Sequence, residues 1–181
     1  MNWSELQERV SDAAKRAFLE LHRKHPDAEI YAFVLYTDSS VMSIGSSANS
    51  IESLNEKVEQ EIDDEDRTPE NEAYFKWAFS EWAYDTIGGE FFKEINKDLR
   101  KSSERLDFEV FKKKVLVTMI DSLRSLTNER FFDGLSKAAG DPVIYVSMSD
   151  DDEAETIENE SAEAINSKSV YERFVVRYDV G

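Results

Sequence analysis

The chain has 181 residues, 40% of them hydrophobic, with 39 acids against 22 bases, a formal net charge of −17 and no cysteine. That composition excludes fibrous, disulfide-stapled and broadly disordered chains, and the missing thiols exclude cysteine catalysis and thiolate metal sites together. A duplex-binding protein needs surplus lysine and arginine to neutralise phosphates, so the charge balance also argues against nucleic acid and anionic membranes as partners.

Residues 4 to 24 read as an amphipathic helix, because Leu6, Val10, Ala13, Ala14, Ala17, Phe18 and Leu21 recur at three- and four-residue steps. Ser4-Glu5-Leu6-Gln7 has the form of a capping box, and Pro26 ends the helix. From Ile30 to Thr37 β-branched and aromatic residues predominate, followed by the polar turn Asp38-Ser39-Ser40 and a second short strand from Val41 to Ile44. The first of these strands is apolar on both faces, as expected of a central strand covered on both sides, or of one with a face on a cleft.

Ser50 opens a helix to about Gln60 with Leu54 and Val58 on its apolar side, and Gly45 to Asn49 is the turn leading into it. This turn lies where phosphate-binding loops lie, yet it lacks their spaced glycines and their lysine. Thr68-Pro69 fits a helix cap with proline in the first turn, or a turn before a strand. The segment from Ala73 to Tyr84 is the densest aromatic cluster. Phe75, Trp77 and Phe79 alternate as in a strand, whereas Trp77, Glu81 and Tyr84 keep helical spacing; we read a strand to about Phe79, then a helical turn from Ser80.

Gly88-Gly89 interrupts the pattern, after which Phe91, Phe92, Ile95 and Leu99 mark a helix. Asp107 is placed to cap a longer helix with Phe111, Val115, Met119, Leu123 and Leu126 inward. A further short helix carries Phe131, Leu135 and Ala138 and stops at Gly140-Asp141-Pro142. Val143 to Val146 is a strand, and a last helix with Ala164, Ile165, Val170, Tyr171, Phe174 and Val175 docks back on the sheet. These elements define a single α+β domain over residues 1–181, with a three- to five-stranded, mostly antiparallel sheet and helices packed on it.

The acidity is regional. Ten acids between Glu52 and Glu72 meet only Lys57 and Arg67, and eight between Asp150 and Glu163 meet no base, so each stretch carries −8. Like charges resist burial, so both stretches are expected to be solvated loops or helix faces. The sharper alternative is a negative patch that speeds encounter with a basic protein. Lys93, Lys97 and Lys101 share one helical face in a locally basic stretch, interrupted by Glu94 and Asp98, and read as ordinary solvated surface.

His22 and His25 are the two imidazoles. Both sit at the end of the first helix, where a protonated ring interacts favourably with the helix dipole, a simpler role than catalytic base. No G-x-S-x-G elbow accompanies them. Asp63-Asp64-Glu65-Asp66 and Asp150-Asp151-Asp152-Glu153 offer oxygen ligands suited to calcium or magnesium. Neither has a Ca²⁺-loop pattern, and consecutive residues rarely converge on one ion, so no metal ligand, catalytic residue or cofactor is assigned. The candidate binding residues are Trp77, Glu81, Trp82 and Tyr84, with one tryptophan expected buried and the other exposed, together with Asp150, Asp151 and Asp152.

The succession of Tyr31-Ala32-Phe33-Val34-Leu35-Tyr36-Thr37-Asp38, Ser43-Ile44-Gly45 with Ala48-Asn49-Ser50, Tyr74-Phe75-Lys76-Trp77 and Ser80-Glu81-Trp82-Ala83-Tyr84 resembles the bacterial family known as domain of unknown function 4303. The likeness runs from the first helix to the last strand. It implies a bacterial, cytoplasmic α+β domain and brings no catalytic or ligand residues with it. A cytoplasmic location also agrees with apolar runs too short to span a bilayer and with an amino terminus unlike a secretory signal.

The expected function is therefore protein binding through acidic surface, of the kind an immunity-type protein uses to neutralise a basic partner. The alternative is a metal-dependent hydrolase that gathers carboxylates from separate segments. A homodimer formed through the aromatic segment is a third possibility.

Overall fold

The computed structural model describes residues 1–63, 65–135 and 140–179. Helix α1 (Trp3–Lys24) buries the seven apolar residues that its periodicity singles out. Its cap is Asn2, whose Oδ1 accepts the Glu5 N–H at 3.3 Å, so the helix starts before the predicted box and Ser4 lies within it. At the other end the His25 N–H reaches the Leu21 carbonyl, and Pro26 follows.

Strand β1 (Ile30–Asp38) is central, antiparallel to β2 (Ile44–Ser50) and parallel to β3 (Val143–Ser149), giving the order β2-β1-β3. Three strands stand at the lower end of the expected range. The second strand begins where the sequence suggested it would end, and the presumed turn Gly45–Asn49 is the strand itself. Asp38 is the reason. Its carboxylate accepts the N–H groups of Ser40, Met42 and Ser43 and the Ser43 hydroxyl, which wraps residues 39–43 into a loop. Val41 is held there at φ +52, fully buried, while Arg105 donates to the Ser40 and Val41 carbonyls. Gly45 belongs opposite Tyr36, where a Cβ would fall 2.6 Å from the tyrosine ring.

Helix α2 (Ile51–Glu61) starts from Ser50, whose hydroxyl accepts the Ser53 N–H, as expected. The aromatic segment departs from the strand reading: α3 (Pro69–Trp77) is a helix capped by Thr68 with Pro69 in its first turn. Its buried residues, Ala73 and Trp77, are four apart, and helical spacing wins over the alternation of Phe75 and Phe79. A 3₁₀ turn over Phe79–Glu81 follows. The chain then runs along the outer side of β2, where the Ala48 N–H bonds the Tyr84 carbonyl and the Ile87 N–H bonds the Ser46 carbonyl. Gly88 (φ +60) opens α4 (Gly89–Lys101); its missing Cβ would lie 2.8 Å from Ala17 Cβ, so this close approach to α1 requires glycine.

A 3₁₀ turn (Ser103–Leu106) leads to α5 (Phe108–Asn128), with Asp107 at the cap position but making no side-chain cap bond. The expected short helix through Phe131 and Leu135 is instead a series of turns, because Arg130 and Gly134 both take positive φ. Ala138 lies outside the described residues. The predicted last helix is two, α6 (Ala154–Ile165) and α7 (Lys168–Val175), so the second acidic stretch is largely helical.

The sheet is layered between helices. Phe33, Leu35, Ile144 and Val146 join the cluster formed with α1, α4 and α5, where Phe18 meets Phe33 and Phe132 edge-to-face at 5.3 and 5.1 Å. Ala32, Val34, Val143 and Tyr145 join Trp77, Trp82, Ala162, Val170 and Phe174 in the other. An asparagine meets the outer side of each edge strand. Asn96 accepts the Ile44 N–H and donates to its carbonyl on β2, and Asn166 does the same to Ile144 on β3. Among the described residues no helix is long and apolar enough to cross a membrane.

Candidate functional site

Trp77 and Trp82 do not divide into one buried and one exposed ring; both are buried. The 3₁₀ turn folds them to the same side, so that each meets the Tyr31 ring edge-on, at 5.7 and 6.1 Å. Two donors converge on the Lys76 carbonyl, the Tyr31 hydroxyl at 2.6 Å and the Trp82 indole at 3.0 Å, and fix the end of α3. Burial pushes the Tyr31 hydroxyl well above its ordinary range. Tyr84 is half-buried against His25, with ring centres 4.7 Å apart, and Glu81 pairs with Lys57 at 3.4 Å. The four residues therefore brace the 77–84 segment.

Asp150, Asp151 and Asp152 also part company. Asp151 is half-buried and bonds Lys112 at 2.8 Å, which holds its carboxyl below the usual range together with the Glu153 N–H. Asp150 (φ +55) and Asp152 are exposed. Among the described residues no three acids or histidines come together in a way that could hold a metal ion; Asp64 lies outside them.

The acidic stretch hides one member that the sequence did not distinguish. Glu158 is buried on α6, accepts the Ser147 hydroxyl at 2.6 Å and pairs with buried Arg177 at 2.7 Å. Burial pushes its carboxyl upward, while Ser147 and Arg177 pull the other way. The other acids of α6, Glu155, Glu160 and Glu163, are exposed, and among the described residues none of them forms an ion pair.

Beside Trp77 lies a cleft of about 410 Å³ whose walls include Tyr31, Ile51, Lys76, Trp77, Val143 and Arg173. It adjoins a second of about 480 Å³ across Lys76, Trp77 and Arg173. The Lys76 ammonium sits 5.2 Å from the Trp77 ring centre and 5.9 Å from that of Tyr31. Burial, and then the Arg173 guanidinium, lower its pKa. One signal for this site was legible: Lys76 is the lone cation inside the densest aromatic run. Arg173, nearly a hundred residues on, carried none.

A three-stranded mixed sheet between two helical layers, with a cleft beside Trp77 lined by Lys76 and Arg173, defines an α+β domain. The chain belongs to the family described as Domain of unknown function (DUF4303), whose model matches residues 10–167 and so most of the sequence. No curated protein and no solved structure matches it.

Proposed function

We propose that this chain is a protein-binding domain that meets a basic partner with its acidic helices, in the manner of an immunity-type protein that neutralises a toxin. The observation that carries this reading is the set of exposed carboxylates on and before α6. Asp150, Asp152, Glu155, Glu160 and Glu163 are all solvent-exposed and have no cationic partner among the described residues. Glu56, Asp63, Glu65, Asp66 and Glu70 in the first stretch share that condition. Unpaired surface charge of one sign adds little to folding, yet it raises the encounter rate with a partner of opposite sign.

The test is capture of a partner from the source organism's lysate on the immobilised chain, followed by elution with rising salt. A basic protein released as salt screens the contact is the expected result. A neutral or acidic partner, or one that stays bound at about 1 M salt, would overturn the reading.

A further inference from the structure

Two cations, Lys76 and Arg173, share the cleft beside Trp77, and Lys76 is half-buried there. Among the described residues neither Lys76 nor Arg173 forms an ion pair, whereas Arg9, Lys57, Arg67, Lys97, Lys112 and Lys114 each do. Arg173 makes one long bond, 3.4 Å to the Asp141 carbonyl, and the Lys76 ammonium rests near aromatic rings. Two neighbouring positive charges, one of them half-buried, repel each other unless a negative charge joins them. Among the described residues no carboxylate lies within ion-pair distance of either.

The cleft's other walls are flat or apolar: the Tyr31 and Trp77 rings, Ile51 and Val143. Two carboxylates, Glu29 and Asp141, also line it and restrict the negative charge that can enter. We propose that this cleft binds a monoanionic aromatic carboxylate, with Lys76 and Arg173 holding the carboxylate and Tyr31 and Trp77 flanking the ring. A cation of either kind pairs well with a carboxylate, Arg173 through its planar fork, and aromatic walls suit a planar body. This site is independent of the acidic surface: either can fail without the other.

The test is calorimetric titration of the full chain with benzoate, benzyl alcohol, inorganic phosphate and phenyl phosphate, with the Trp77 indole N–H resonance followed by NMR. Benzoate is expected to saturate at millimolar concentration or below, shifting that resonance, and to bind at least about tenfold more tightly than the other three probes. Lys76→Met is expected to weaken benzoate binding by about tenfold or more, and Arg173→Gln by about threefold or more. Arg173 is exposed, so its variant keeps the test valid even if the Lys76 variant folds poorly. The proposal is overturned by any of three results: no saturation with benzoate up to about 20 mM, equal binding of the neutral alcohol or a phosphate, or affinity unchanged in Arg173→Gln.

Discussion

The carboxylate of Glu158 and the guanidinium of Arg177 lie 2.7 Å apart with both side chains buried, nineteen residues apart along the chain. The Ser147 hydroxyl on β3 and the Asn159 side chain complete the arrangement, which ties the carboxy-terminal turn to α6 and the sheet. Arg177 Nε is the one donor of the group left without a partner among the described residues.

Removing either half of this pair leaves the other charge buried alone. Glu158→Ala and Arg177→Met are each expected to destabilise the fold by about 3–5 kcal/mol, whereas a Glu158→Leu and Arg177→Met double variant recovers most of the loss. Urea unfolding of the three variants checks this. A single variant that loses under about 1 kcal/mol would show that the pair is solvated in the folded protein.

Asn166 is expected to matter as an edge guard as well as a hydrogen-bond partner. Its amide both accepts from and donates to Ile144, and Ser161 does the same for Val146 two residues on. Asn166→Asp keeps the acceptor and loses the donor, and should cost about 1–3 kcal/mol because the Ile144 carbonyl is left unpaired. Asn166→Leu should add concentration-dependent association through the open β3 edge. Light scattering reads the second effect; a Leu variant that stays monomeric at high concentration would show that α6 alone covers the edge.

The cap of α3 is a smaller and more local case. Thr68→Ala is expected to lower stability by about 1 kcal/mol, since its hydroxyl accepts the Asn71 N–H at 3.3 Å at an exposed helix start. Thr68→Asp should restore it, and thermal melts of the pair decide. If both variants melt with the wild type, the cap contributes nothing.

Glu104 contributes to the acid response. The amino-terminal ammonium at 2.6 Å, then Lys114 and the Trp3 indole, hold its carboxyl down at about 2. Because the folded value lies below the unfolded one, this group adds stability above the ordinary carboxylate range and loses it as pH falls towards about 2. Glu104→Gln should therefore flatten part of the decline in melting temperature between about pH 5 and pH 2. Parallel declines in wild type and variant would contradict the assignment.

The sequence disclosed elements wherever one periodicity was unopposed. The α1 stripe and the two-sided burial of β1 follow from residue type alone. It misled where a distant partner decides the outcome. Gly45-Ser46-Ser47-Ala48-Asn49 has little intrinsic strand preference, and becomes β2 through pairing with β1, the Asn96 amide and the Tyr84 and Ile87 backbone. In the 73–84 segment both periods were present, and the cap at Thr68 with Ala73 and Trp77 buried makes it helix as far as Trp77, with a 3₁₀ turn and extended chain beyond. Glu158 was indistinguishable from its seven acidic neighbours, because its burial depends on Arg177 and Ser147. The same dependence on distant residues kept Arg173 out of the candidate site.

The most direct measurement is the rate at which the chain associates with its captured partner, by stopped flow at about 20 and about 200 mM salt, for the wild type and for Glu155→Gln, Glu160→Gln, Glu163→Gln combined. The acidic-surface account predicts that the wild-type rate falls by about tenfold or more between the two salts, and that the triple variant is slower at low salt with unchanged stability. Equal wild-type rates at both salts, or a triple variant as fast as the wild type, would contradict it.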